Sequence, residues 1–291
     1  MRNSQVGLGR RTPKVTEPRM TSLPVLGAAM PLDVLETHRD WVIADQRDLE
    51  LQDFITADVL NSDWMPRVDC ARRLLDGYTG RLGIHGPFWG LTLANPDPEL
   101  RALVTRRMEQ GLAVCEALGA TQMVIHSPYS TWMHNNLDNF SNARQDVVEL
   151  VHATLDPVIA RAEGANVTMV LENIEDKDPD TRCDLARSFD SPAIKVSIDT
   201  GHAHYAHGST GAPPVDYYVH RAGDLLEHIH LQDADGYADR HWAIGKGTVN
   251  WPAVFAALAP LKSKPRLIME LRDKTGILPS AEYLANLELA R

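Results

Sequence analysis

The sequence predicts an α/β protein folded as a closed (β/α)8 barrel, a TIM barrel. Three observations lead there. Eight short apolar runs rich in Val, Ile and Leu alternate with longer segments of helical periodicity along about 270 residues. Short apolar strands of that kind are covered on both faces, as parallel strands are. Eight β-α units in a chain of 291 residues fit a closed barrel better than an open sheet. The GxGxxG fingerprint and the P-loop pattern, which an open nucleotide-binding sheet would carry, are both absent.

The strand segments, in order, are 24–30 (PVLGAAM), 48–54 (DLELQDF), 81–88 (RLGIHGPF), 122–129 (QMVIHSPY), 166–174 (NVTMVLENI), 194–202 (IKVSIDTGH), 226–233 (LEHIHLQD) and 266–273 (RLIMELRD). Among the helices, residues 99–120 are the clearest. Leu100, Leu103, Val104, Met108, Leu112, Cys115 and Leu118 form one stripe, with Arg106, Arg107 and Glu116 off it. Residues 140–164 read as a helix interrupted at Pro157, and Gly119 and Gly164 as helix ends. Residues 250–260 begin with an Asn cap and a Pro in the first turn. No stretch reads as a domain linker, so residues 21–291 are taken as one barrel domain. Residues 1–20 lack the apolar centre of a secretory signal and read as a disordered tail, with Met20 as an alternative start.

The chain carries a net charge of −10; five basic residues and one acid in the first nineteen leave the body near −14. An acidic body argues against a large nucleic-acid footprint. No apolar run reaches the ~18 residues of a membrane helix. Cys70, Cys115 and Cys183 have no paired spacing and read as buried hydrophobes of a protein of the reducing cytoplasm.

Ligand-type side chains mark the strand ends. His85, His126, Glu172 and Asp199 close the third to sixth runs, with His202 just beyond Asp199; His230 closes the seventh and Glu270 lies in the eighth. In a barrel these ends converge on the mouth where active sites of this architecture sit. Parity supports convergence, because side chains alternate along a strand and place His228 with His230, Ser197 with Asp199 and Val170 with Glu172. The inward face is then expected to be apolar or small lower down and polar at the top. A single such residue is ordinarily a hydrogen-bonded structural group, but six at the same end of six successive strands are a poor accident. The mixed imidazole and carboxylate set suits a divalent metal: Zn, Mn or Co. His38, His134, His152, His204, His207 and His220 read as surface or packing residues, and His228 as packing one layer below the metal.

The ordered motifs HGP, VIHSP, LEN, DTGH, HIHLQD, DRHWAIGKGTVNW and IMEL resemble the xylose-isomerase-like barrel superfamily over residues 24–273. That superfamily includes sugar-phosphate isomerases and epimerases, inositol-catabolism enzymes, ketose 3-epimerases and endonuclease IV. The resemblance to the epimerase branch implies one metal held by Glu172, Asp199, His230 and Glu270. The resemblance to the endonuclease IV branch implies added ligands at His85, His126, His202, Asp239 and His241, and up to three zinc ions. One departure stands out: the Gly-x-Gly turn, which commonly carries Glu in this superfamily, carries Lys246 here. Lys246 reads either as a cation over a substrate phosphate or carboxylate, or as a solvated lysine. Trp89 and Trp242 read either as platforms for a sugar face or as packing.

The resemblance implies a metal-dependent isomerase or epimerase of a ketose, an inosose or a sugar phosphate. Its ion would bind a carbonyl and the adjacent hydroxyl and stabilise the enediolate formed on proton loss. Glu172 would take the proton and Glu270 return it, or the reverse, with His202 and His241 hydrogen-bonding substrate oxygens. A keto-sugar dehydratase shares the first step. The alternatives are a multi-zinc phosphodiesterase and a non-catalytic sugar-binding barrel. Against the phosphodiesterase, the loops after His126 and Glu172 are not basic. A small carbohydrate substrate, no nucleic acid, no membrane and a homodimer complete the expectation.

Overall fold

The computed structural model describes residues 23–291. The predicted tail, residues 1–20, with its alternative start, lies outside the described residues. Eight strands form one closed, wholly parallel barrel in sequence order: β1 (Gly27–Met30), β2 (Leu49–Leu51), β3 (Leu82–His85), β4 (Gln122–His126), β5 (Thr168–Glu172), β6 (Ile194–Asp199), β7 (Leu226–Leu231) and β8 (Arg266–Met269). β1 closes the ring against β8 through Gly27 opposite Ile268 and Ala28 opposite Met269.

Every predicted run contains a strand, but from β2 to β8 each strand stops short of the predicted carboxyl end, while β1 reaches it at Met30. The ladder ends where the diverging strands stop pairing, and the remaining β-prone residues form the mouth. DTGH shows the change: Asp199 ends β6 and caps the helix Thr200–Thr210, its carboxylate accepting the His202 amide at 2.7 Å.

The apolar core is the ring between strands and helices. Met123 and Ile125, Met169 and Leu171, Val196 and Ile198, and Ile229 and Leu231 all point into it and are essentially fully buried. The alternate residues point inward, where the barrel is more polar than parity predicted. Val170 and Ser197 fit the expected apolar or small lining, but Glu50, Gln122, His228 and Arg266 are buried there too. Arg266 reaches from β8 to Thr121 Oγ1 before β4, at 2.7 Å.

The helix over Pro98–Leu118 buries Val104, Met108, Leu112 and Cys115 as predicted and ends at Gly119 in the left-handed region. Leu100 is exposed, and Arg107, expected off the stripe, is buried with its guanidinium on Asn61 Oδ1 (2.6 Å) and Gln110 Oε1 (2.8 Å). The helix over Ala143–Ala165 runs unbroken through Pro157. Pro157 and Ala153, whose carbonyl loses its i+4 donor, are both exposed, so the missing bond lies on the open face of the helix. That helix ends at Asn166 (φ 54°), not at Gly164. Asn250 caps the helix Trp251–Leu258, accepting from the Ala253 amide. All three cysteines are free; Cys115 and Cys183 are buried and Cys70 is partly so. Among the described residues, no helix is long and apolar enough to cross a membrane.

Candidate metal centre

The strand ends meet. His85, His126, Glu172 and Asp199 are the last residues of β3, β4, β5 and β6, His230 is the penultimate residue of β7, and Glu270 directly follows β8. Glu172, Asp199, His230 and Glu270 are all buried and each offers an atom within 4.8 Å of the others'. His230 Nδ1 lies 3.1 Å from Glu172 Oε1 and 3.3 Å from Glu270 Oε2. Two further groups adjoin this one. His85 Nε2 and His126 Nε2 stand 3.8 and 3.9 Å from Glu172 Oε2. His202 Nε2 and His241 Nε2 stand 3.4 and 3.0 Å from Asp239 Oδ1. All nine predicted ligand positions therefore adjoin one mouth.

Their orientations fit a cation. The Nδ1 atoms of His85, His202 and His241 lie at 3.0, 2.9 and 3.0 Å from the backbone carbonyls of Gly86, Asn173 and Glu270. Donation to those carbonyls turns each Nε2 lone pair toward the cluster, as in metal sites. Glu172 Oε2 and Asp199 Oδ2 are buried without a hydrogen-bond partner. A carboxylate oxygen left so costs about 1–3 kcal/mol or more, a cost that a coordinated cation removes. The donor set and these two orphaned oxygens fit a divalent ion.

The electrostatics show the same excess of negative charge. Burial alone would lower His230, but the charges of Glu270, Glu50 and Glu172 raise its pKa well above 6.5. His202 is likewise raised, against its own burial, by Asp199, Asp239 and Glu172. Burial pushes Asp199 up to about 6. His126, opposite the stacked ring of Phe88, is lowered by burial to about 3 and stays neutral. Burial opposes protonation of His241 as well, but the Asp239 hydrogen bond and the Glu270 and Asp199 charges carry it to about 9. These are the protons a metal would displace.

His241 yields a pH prediction for the metal-free protein. Its folded pKa lies above its unfolded value of 6.5, so its stabilisation is full below pH 6.5 and is lost as pH rises through about 9. Between pH 6.5 and 9.5 the wild type should lose on the order of 2 kcal/mol more stability than His241→Asn loses. Urea melts of the chelated proteins check this, and parallel pH profiles would refute it.

Residues that the sequence did not single out hold these groups in place. Asn173 bridges β5 and β6, accepting the Asp199 amide at 2.9 Å and donating to the Asp199 carbonyl at 3.1 Å. Gln232 donates to Asp199 Oδ1 (3.0 Å) and Asp239 Oδ1 (3.2 Å) and accepts the His241 amide (2.8 Å). From β2 and just beyond it come Glu50, against His230, and Gln52, which donates to Glu270 Oε1 at 2.7 Å. Lys274 Nζ donates to Gln52 Oε1 and the Ala29 carbonyl, both at 2.8 Å. Glu50 lies between Leu49 and Leu51 in a strand whose three residues are all buried.

The loop after β7 is organised by Asp233. Its buried carboxylate accepts from the amides of Ala234, Gly245 and Val249 and from Trp251 Nε1, at 2.8–3.1 Å. The two glycines of the turn serve different needs: Gly245 sits at φ +89°, and a Cβ on Gly247 would strike the Ala234 carbonyl and the Asp233 carboxylate. Lys246 between them is exposed, and among the described residues no ion pair ties it to the cluster. Trp89 is 70% exposed and packs against Phe88 with the rings tilted by 33°, centroids 4.8 Å apart. Phe88 stacks on His126 at 4.2 Å. Trp242 is 38% exposed with the Arg240 guanidinium 5.3 Å from its ring centroid.

A closed parallel barrel with acids and imidazoles gathered at its carboxyl end defines a class of protein whose chemistry resides in the mouth. The chain belongs to the xylose isomerase-like TIM barrel family, whose model matches residues 52–291. An uncharacterized protein of Methanocaldococcus jannaschii is 23% identical over 219 residues, 72% of this chain and 71% of its own. A probable endonuclease 4 of Acholeplasma laidlawii is 24% identical over 195 residues, 60% of this chain and 61% of its own. Among solved structures, a D-tagatose 3-epimerase-like protein superposes with TM-score 0.72 at 21% identity, over 91% of this chain and 97% of its own. A Thermus thermophilus protein soaked with zinc chloride gives TM-score 0.68 at 25% identity, over 90% of this chain and 97% of its own.

Proposed function

We propose that the protein is a divalent-metal-dependent isomerase or epimerase acting on a ketose, an inosose or a sugar phosphate. The observation that carries this reading is the buried set Glu172, Asp199, His230 and Glu270, with two of its carboxylate oxygens unpartnered. These four residues would hold the ion, Zn, Mn or Co. When bound, the ion supplies Lewis acidity to a substrate carbonyl and its neighbouring hydroxyl. Glu172 at the end of β5 and Glu270 just after β8 both approach His230 Nδ1 from separate strands, and would serve the two faces of one substrate carbon bound between them. Glu172 removes the proton beside the carbonyl and Glu270 returns it, or the reverse for the other epimer. Gln52 holds Glu270 Oε1 and leaves Oε2 toward the centre. His202 and His241 present Nε2 to substrate oxygens, and Trp89 offers an apolar face at the rim to a sugar ring. Burial of both glutamates excludes bulk water from the carbanionic step.

A multi-zinc phosphodiesterase is the second reading. It is favoured by the two groups flanking the first, His85 with His126 and His202 with Asp239 and His241, and by the endonuclease name of one relative. Metal analysis and turnover separate the two. The isomerase reading expects one tightly held ion per chain and exchange of a substrate C–H adjacent to a carbonyl with solvent deuterium. Three zinc ions per chain with cleavage of an abasic duplex, and no such exchange across a panel of keto-sugars, would replace it.

A further inference from the structure

Glu50 in β2 and Gln52 just beyond it are inward-facing side chains that share the barrel's inner face. Glu50 is 2% exposed. Its Oε1 lies 3.1 Å from His230 Nε2, and its Oε2 lies 3.2 Å from His230 Nε2 and 3.2 Å from His228 Nε2. His228 Nδ1 is 2.8 Å from Ser197 Oγ. Ser197, His228 and Glu50 have the residue types of a nucleophile, base and acid. Yet Ser197 and His228 are 0% and 1% exposed, beneath the mouth, and no substrate reaches that hydroxyl. The chain of contacts leads upward instead. It ends at His230, whose other nitrogen faces Glu172 and Glu270.

We propose that Glu50 is a positioning residue of the metal centre, accepting the Nε2–H of His230 so that the Nδ1 lone pair points between Glu172 and Glu270. This rests on the metal-dependent reading above. The carboxylate fixes the tautomer and the ring plane and makes Nδ1 a stronger donor, as carboxylate–histidine pairs behind metals do. His228, held by Ser197 through Nδ1, packs beneath the Glu50 carboxylate, its Nε2 3.2 Å from Oε2 but outside hydrogen-bonding geometry. His85, His202 and His241 are held by neutral backbone carbonyls, whereas His230 is held by a full negative charge. His230 is therefore a stronger donor than those three imidazoles, and the ion it shares with Glu172, Asp199 and Glu270 is the first to fill.

The test uses the full chain stripped with chelator and titrated with Zn2+ by calorimetry. The rise in melting temperature on adding Zn2+ is read separately from the melting temperature of the metal-free protein. Glu50→Gln keeps the length and one oxygen but loses the charge, and should weaken Zn2+ binding about 10-fold. Glu50→Ala should weaken it about 100-fold. In both variants the Zn2+-induced rise should shrink in step with affinity. A purely structural role for Glu50 would lower the metal-free melting temperature and leave Kd unchanged. Wild-type affinity in Glu50→Gln, within twofold, overturns the proposal and leaves the metal reading standing. A wild-type protein that takes up no Zn2+, Mn2+ or Co2+ overturns the metal reading and this inference together.

Discussion

Glu172→Gln should reduce turnover by about 1,000-fold or more, the upper range for loss of a positioned general base. The amide keeps the side chain's volume, so the buried site does not collapse. It cannot accept a proton from carbon, and it is a poorer ligand than the carboxylate. Metal content measured beside turnover separates the two losses. With the centre saturated by added metal, the catalytic loss should persist. Glu270→Gln should lose turnover comparably but differ in one respect. In the direction where Glu172 removes the proton, it should still exchange substrate hydrogen with solvent deuterium while failing to complete the inversion. Activity of Glu172→Gln within tenfold of wild type would remove Glu172 from the chemistry.

Asp233→Asn should cost about 3–5 kcal/mol of stability, the scale for breaking a buried charged group's contacts from one side. Asp233 is 1% exposed, and its four bonds all come from N–H donors. An amide retains one acceptor oxygen and places its own N–H2 against two of those donors. For a domain of this size the change should lower the melting temperature by roughly 10 °C. The loop it anchors carries Asp239 and His241, so the variant should also bind metal less tightly than its stability loss alone explains. A melting temperature within two degrees of wild type would show that the loop has another anchor.

Much of the fold was legible because barrel strands covered by helices leave short, repeated apolar runs, and eight such runs with helices between them admit few architectures. Seven of the nine candidate ligand positions were legible for a related reason: each closes or follows a strand end, where His and acid residues interrupt an apolar pattern, whereas Asp239 and His241 lie in the loop after β7 and came only from the family resemblance. Glu50 escaped because Leu49-Glu50-Leu51-Gln52 alternates like a half-exposed strand, and sequence alone does not distinguish an aqueous face from a polar barrel interior. Asn173 and Gln232 escaped because neutral amides advertise no chemistry, although each fixes the position of Asp199. Pro157 misled because its cost depends on whether the orphaned carbonyl reaches water, which is settled by the helix's packing rather than its sequence. The dense run from His230 to Gly247 separates into two sets of residues. His230, Asp239 and His241 face the centre, while Asp233 and the two glycines shape the loop that delivers them.

The separation of an outer apolar ring from an inner polar column has a bearing on how such a protein diversifies. Residues such as Ile125, Leu171 and Ile229 hold the architecture together, while their immediate neighbours His126, Glu172 and His230 face the opposite way. Selection can exchange an inward tip for another without disturbing the outer layer. A new reaction can therefore arise in this scaffold at little risk to folding, and drift in the outer layer can proceed with the reaction unchanged.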